Sequence, residues 1–180
     1  MKACFMGLGY IGLPTAIIAA EHGIKVIGVD INPQVVDMTN QGLIHIVEPG
    51  LQELCGKVVT SGHLKASVKP ETSDVYLVVV PTPFKGNHEP DISYVETATR
   101  SVIPLLKEND LFIIESTSPV GTTDKMTDLI FSLRPELKGK IYIAYCPERV
   151  LPGNVIYELV HNDRVIGGIN PESTEKAIGF

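Results

Sequence analysis

The chain has 180 residues, 44% of them hydrophobic and 20% charged, the balance of a globular domain with a sizeable core. Its net charge of −6 leaves no basic surplus to neutralise phosphates, which excludes a general nucleic-acid binder. No stretch approaches the roughly 18 apolar residues of a membrane span, and no signal-peptide pattern opens the chain, so the cytoplasm is the expected location.

The first element is an apolar strand, Lys2 to Met6, followed by Gly7-Leu8-Gly9-Tyr10-Ile11-Gly12. This is G-x-G-x-x-G, and it opens a predicted helix from Ile11 to His22. A second strand, Lys25 to Val29, ends in Asp30, at the distance from the first glycine that a dinucleotide fingerprint requires. Gly7 permits the tight turn, Gly9 lets backbone approach a pyrophosphate, and Gly12 lets helix and strand pack closely. The backbone N–H groups of Tyr10 and Ile11 sit at the helix start, where an anion is favoured. Asp30 can accept from both ribose hydroxyls and would repel a 2′-phosphate. No Arg or Lys follows in Ile31 to Val36, so the expected cofactor is NAD rather than NADP.

Asn32 and Pro33 start the next helix, which runs to about Asn40. Glu48-Pro49-Gly50 opens a helix over Leu51 to Thr60, and His63 to Ser67 reads as a short strand. Val75 to Val80 is a continuous apolar run, the mark of a strand buried on both faces. Pro81-Thr82-Pro83 stops it, and Phe84 to Pro90 reads as a polar loop. Asp91 to Lys107 reads as a helix, Leu111 to Ile114 as a strand and Thr122 to Leu133 as a helix. Ile141 to Tyr145 and Arg164 to Ile166 read as strands, and Pro171 begins a final helix. Strands alternating with helices predict an α/β fold: a doubly wound, Rossmann-type, mostly parallel sheet with helices on both faces.

Ligands of such sheets bind outside the carboxyl ends of the strands. Gly7 to Gly12, Asp30, Pro81-Thr82-Pro83, Ser116-Thr117 and Pro147-Glu148-Arg149 all follow predicted strands, so all should line one crevice. Pro81 and Thr82 are expected to contact the cofactor near its adenosine side. Thr123 fits either a cofactor contact or a cap on its helix.

Cys4, Cys55 and Cys146 form neither a disulfide framework nor a metal motif, and the five histidines lack ligand spacing, so no metal is expected. Cys4 and Cys55 read as buried small apolar residues; Cys146 ends a strand with no positive neighbour in sequence.

The chain resembles the nucleotide-sugar 6-dehydrogenase family, which includes UDP-glucose and GDP-mannose dehydrogenases. The resemblance is carried by Gly7 to Pro14, Val29 to Asn32, Glu48 to Leu51, Val80 to Pro83, Glu115 to Thr122 and Cys146 to Gly153, in family order over nearly the whole chain. A UDP-glucose dehydrogenase would be expected to have Phe-Leu after Pro147-Glu148. Arg149-Val150-Leu151-Pro152-Gly153 and Asn162 to Gly168 instead resemble the branch acting on UDP-N-acetyl-D-mannosamine, which serves bacterial surface polysaccharides.

The resemblance implies oxidation of a sugar C6 alcohol to a carboxylate with two NAD, through an aldehyde trapped on a cysteine and a thioester released by water. It implies that Glu148 assists that water as a general base, with a salt bridge to a neighbour such as Arg149 as the alternative. It implies that Thr117 contacts cofactor and orients the water, and that Arg149 and Val150 touch the UDP-sugar. Arg164 reads as structural. The family's nucleophilic cysteine and its catalytic lysine and asparagine lie in later motifs that this chain lacks. Residues 1–170 are therefore expected to form the NAD-binding domain and residues 171–180 to begin a linking helix. Such a chain should bind NAD without turning over and could be a monomer, whereas the whole enzyme is expected to be a homodimer or larger. Another UDP-sugar 6-dehydrogenase, or a non-catalytic NAD-binding module, remains an alternative reading.

Overall fold

A computed structural model describes residues 1–180. The chain alternates strand and helix: β1 (Lys2–Met6), α1 (Gly12–Glu21), β2 (Lys25–Val29), α2 (Pro33–Asn40), α3 (Leu51–Thr60), β3 (Leu64–Ser67) and β4 (Val75–Val78). It continues with β5 (Phe84–Lys85), β6 (Glu89–Pro90), α4 (Ser93–Val102), β7 (Leu111–Ile114), α5 (Thr122–Leu133), β8 (Tyr142–Tyr145), α6 (Val155–His161), β9 (Gly167–Gly168) and α7 (Pro171–Ile178). No helix is long and apolar enough to cross a membrane.

Seven strands form one sheet in the order β3-β2-β1-β4-β7-β8-β9. All neighbours pair in parallel except β9, which lies antiparallel against β8. The order reverses at β1, whose two neighbours are β2 and β4. That is the switch point of a doubly wound sheet, where chain leaves β1 toward one face and β4 toward the other, opening a crevice between them.

The continuous apolar runs are explained by burial on both faces. Within β1, β4 and β7, Phe5, Leu77 and Ile113 face one core with α1, α2, α3 and α7. Their neighbours Met6, Tyr76 and Phe112 face the other core with α4 and α5. Alternation of side chains along a strand places successive residues in different cores, so every position must be apolar.

Several expected elements shift. The stretch Phe84 to Pro90 is not a plain loop: β5 and β6 pair as a hairpin, with Phe84 opposite Pro90 and Lys85 opposite Glu89. Two-residue strands are too short to show alternation, and the cue lies in the turn, where Gly86 and His88 take positive φ. The helix expected over Asp91 to Lys107 stops at Val102 and tightens to a 3₁₀ turn, Ile103–Leu105. Pro104 has no N–H to donate, which ends the α ladder. The last strand falls at Gly167–Gly168 instead of Arg164 to Ile166. There α7 packs so closely that a Cβ on Gly168 would lie 2.6 Å from the Ser173 Cβ. Helix α6 and the 3₁₀ turn Pro135–Leu137 have no counterpart among the expected elements.

Candidate cofactor crevice

The glycine loop is built around two close approaches and one bare position. Gly7 has φ +107°, and a Cβ on it would run into the Val79 carbonyl at the end of β4. A Cβ on Gly12 would collide with the Gly7 carbonyl itself. Gly9 is different: nothing lies within 4 Å of where its Cβ would be. Its missing side chain therefore leaves open space on the crevice side, as approach of a ligand to the backbone requires.

Above that space the backbone N–H groups of Gly9, Tyr10, Ile11 and Gly12 make no hydrogen bond. The N-cap residue Ile11 supplies no side-chain acceptor, and the first turn of α1 holds no acidic residue. Orphan donors at the positive end of a helix dipole form an anion site, and nothing in the chain fills it. A dinucleotide pyrophosphate fits both the bare position and the donors.

Asp30 stands at the end of β2. Its Oδ2 accepts the Leu8 N–H at 3.1 Å, and its Oδ1 accepts the Asn32 N–H at 2.9 Å. The carboxylate is thus fixed against the glycine loop while keeping lone pairs for ribose hydroxyls. Nearby, Asn32 caps α2 by accepting the Gln34 N–H at 3.0 Å, with Pro33 at the first helical position.

A cleft of about 240 Å³ gathers Gly9, Tyr10, Ile11, Val79, Val80, Pro81, Thr82, Glu115, Ser116, Thr117 and Glu148. The expected residues Gly9, Tyr10, Ile11, Pro81, Thr82, Thr117 and Glu148 therefore do share one crevice. Two staples hold its wall. Thr82 Oγ1 donates to the Thr117 carbonyl at 2.6 Å, and Ser116 Oγ donates to the Val80 carbonyl at 2.7 Å. The hydroxyl of exposed Thr117 makes no hydrogen bond of its own and is free for a ligand. The Tyr145 phenol accepts the Ser118 N–H at 3.1 Å and fixes the same loop from β8.

Six expected site residues are outside that lining: Gly7, Gly12 and Asp30, which belong to the glycine loop and the acid fixed against it, and Thr123, Arg149 and Val150. Thr123 is the second residue of α5, whose N-cap is Gly121 in the left-handed region, so Thr123 does not cap the helix. Exposed Arg149 donates from Nη2 to the Asp163 carbonyl at 2.7 Å, and Val150 follows it outside the cleft. A larger cleft, about 490 Å³, lies between the start of α3 and α6 and includes none of the expected site residues.

Glu148 has a side chain only 7% exposed. Its Oε1 accepts the Arg149 N–H at 2.6 Å, and its Oε2 lies 2.5 Å from Arg164 Nη2 in an ion pair whose angles are not those of a hydrogen bond. The ion-pair partner of Glu148 is therefore Arg164 and not the adjacent Arg149. Arg164 also donates from Nη1 to Glu115 Oε1 at 2.9 Å. Glu115 is buried, and burial pushes its carboxyl up to about 7, against the pull of Arg164 and with the repulsion of Glu148 added. Cys146 does have a positive neighbour, Arg164 Nη1 at 3.8 Å, but burial still raises its thiol. Cys4 and Cys55 are fully buried, as small apolar residues are.

Sequence reasoning placed Ser116 on the crevice, where it lies, and gave no role to Glu115 or Tyr145. Glu115 carried a local signal: a carboxylate ending an all-apolar strand, on the edge where the ligand loops meet. Its partner Arg164 lies 49 residues away and carries none.

Comparison with known proteins follows the same lines. The family described as "UDP-glucose/GDP-mannose dehydrogenase family, NAD binding domain" matches residues 1–179. The UDP-N-acetyl-D-mannosamine dehydrogenase of Campylobacter jejuni is 54% identical over 98% of this chain and 46% of its own length. The NDP-N-acetyl-D-galactosaminuronic acid dehydrogenase of Ralstonia nicotianae is 51% identical over 96% of this chain and 43% of its own. A solved UDP-N-acetyl-mannosamine dehydrogenase from Staphylococcus aureus superimposes with a TM-score of 0.93 at 46% identity, covering 98% of this chain and 44% of that one. The chain thus spans less than half the length of the relatives it matches.

Proposed function

Because the chain belongs to the UDP-glucose/GDP-mannose dehydrogenase family and comprises its NAD-binding domain, we propose that it is the cofactor-binding half of a UDP-N-acetyl-D-mannosamine 6-dehydrogenase. The activity is oxidation of the sugar C6 alcohol to a carboxylate with two NAD, supplying a donor for bacterial surface polysaccharide. The observation that carries the reading is the row of unpaired N–H groups from Gly9 to Gly12, over a position with no side chain and beside the Asp30 carboxylate.

NAD, when bound, supplies the hydride acceptor. The chain's own residues bind and orient. The N–H groups of Gly9 to Gly12 hold the pyrophosphate, Asp30 takes the adenosine ribose, and Pro81 and Thr82 form the wall on that side. Thr123 adds a contact from α5. Thr117 offers its free hydroxyl to cofactor and water. Glu148 takes a proton from the water that releases the product, a task suited to a carboxylate at the crevice wall with fixed orientation. Arg149 and Val150 meet the UDP-sugar; a guanidinium suits a diphosphate because its planar fork engages two oxygens at once.

Residues 1–170 are the NAD-binding domain in this reading, and residues 171–180 open the helix leading to the rest of the enzyme. The whole protein works in the cytoplasm as a homodimer or larger assembly. The Ralstonia relative favours a second reading, in which another N-acetylated hexosamine is the sugar.

The test is NADH formation by the full gene product with UDP-N-acetyl-D-mannosamine, UDP-N-acetyl-D-galactosamine and UDP-glucose. Two NADH per molecule of the mannosamine sugar support the reading. Preferred oxidation of UDP-glucose overturns it.

A further inference from the structure

Glu148 does not stand alone in the crevice. It is one of two carboxylates that a single guanidinium spans. Their placement begins in the backbone: the Glu115 N–H donates to the Val78 carbonyl at 2.9 Å, and the Glu148 N–H donates to the Glu115 carbonyl at 3.4 Å. The ends of β4, β7 and β8 are thereby locked in step, and two acidic side chains enter the same corner.

Arg164 reaches that corner from the segment before β9. Its Nη1 holds Glu115 Oε1 at 2.9 Å, and its Nη2 holds Glu148 Oε2 at 2.5 Å. The Glu115 side chain is 1% exposed and that of Glu148 is 7% exposed. The second oxygen of Glu115, Oε2, is buried without any partner. The other ionisable group facing the corner is the Cys146 thiol, at the end of β8, 3.8 Å from Arg164 Nη1. One cation cannot neutralise two buried carboxylates, so with both ionised the corner holds an uncompensated charge at a desolvation cost. A proton removes that charge most cheaply on the deeper group, which has an oxygen to spare.

We propose that Arg164 and Glu115 are positioning residues for Glu148: the guanidinium pins the Glu148 carboxylate at the crevice wall, and the charge on Glu115 decides how much of that guanidinium Glu148 can claim. The inference rests on the reading of Glu148 as the group that takes a proton from water. With Glu115 neutral, Arg164 is committed to Glu148 and the carboxylate is held as an ion pair. With Glu115 ionised, the cation is shared and Glu148 is freer to accept the proton. The rise of the Glu115 carboxyl to about 7, driven by burial, places this change near neutral pH. The shared-cation geometry stands without that value.

The experiment follows the side-chain carboxyl of Glu115 by isotope-edited NMR during a pH titration of the 180-residue chain. Wild type is compared with Glu148→Gln, Arg164→Gln and Arg164→Lys. Loss of the like charge in Glu148→Gln should lower the Glu115 midpoint by about one on the pH scale, and loss of the cation in Arg164→Gln should raise it by a similar amount. Arg164→Lys should bring it back toward wild type. The readout that a merely structural ion pair would not move is the pH profile of kcat in the full gene product: Glu115→Gln should abolish the change of kcat near pH 7 and leave KM unchanged, and a profile identical to wild type overturns the proposal. An unchanged Glu115 midpoint in Glu148→Gln overturns the proposal, and because that change is isosteric the result is decisive even if Arg164→Gln fails to fold. Titration of the same wild-type sample with NAD separates the two readings. Binding without coupled titration removes the clamp and leaves the function; coupled titration without binding does the reverse.

Discussion

Gly9 and Gly12 belong to one motif, yet a methyl group on each would meet different things. On Gly12 it strikes the Gly7 carbonyl, which is backbone and cannot swing away. On Gly9 it projects into open space. Gly12→Ala should therefore destabilise the fold by about 1–3 kcal/mol, as overpacking does, and lower Tm. Gly9→Ala should leave Tm nearly unchanged and weaken NAD binding. Thermal melts and calorimetry on the two variants check both expectations, and equal losses of Tm would contradict the division of roles. Glu115 makes a pH prediction at the same scale. Its folded value near 7 lies above its ordinary 4.5, so between those values the folded chain holds a proton the unfolded chain has released. Stability from this group is present below the lower value and is lost as pH rises to the upper one. Relative to Glu115→Gln, wild-type Tm should fall between about pH 4.5 and 7 and then level off. A constant difference across that window would contradict the assignment.

At the scale of elements, α6 shows what holds a short helix in place from far away. It has only seven residues, and several are β-branched or aromatic, which disfavours an isolated helix. The buried carboxylate of Glu48 accepts the Gly153 N–H at 2.8 Å and the Val155 N–H at 2.7 Å, fixing the chain where α6 begins. Glu48→Ala should cost about 1.5–3 kcal/mol, the worth of hydrogen bonds to a charged group, and accelerate amide exchange at Gly153 and Val155. Unchanged exchange there would show that the anchor is dispensable. The same contact explains a limit of the sequence. Strands β1, β2 and β7 and helices α2, α3 and α5 were legible to the residue, because period, caps and prolines are local signals. Helix α6 was not, because what stabilises it lies more than a hundred residues upstream. The shift at β9 has a similar origin: the closeness of α7, not any pattern in Arg164 to Ile166, decides which residues pair.

At the scale of the whole molecule, the sheet order places the reversal at β1, and the cleft lined by Gly9, Thr82, Thr117 and Glu148 opens at the strand ends there. The crevice was legible for a topological reason. Loops after parallel strands converge whatever their sequence, so Gly9, Thr82, Thr117 and Glu148 could be brought together from strand positions alone. The Arg164 bridge was not legible, since it depends on a side chain reaching across from a segment with no strand pattern. Asp30 joins the scales. It holds the glycine loop through Leu8 and is the group expected to choose between the two nicotinamide dinucleotides. Asp30→Ala should weaken NAD by about 1–3 kcal/mol, as loss of a charged acceptor does.

The most direct test is therefore calorimetric titration of the chain and its Asp30→Ala variant with NAD and with NADP. Wild type should bind NAD at least about tenfold more tightly than NADP, a gap of about 1.4 kcal/mol or more, and the variant should lose most of that preference. Equal affinity of wild type for both dinucleotides, or none for either, would contradict a crevice built for NAD.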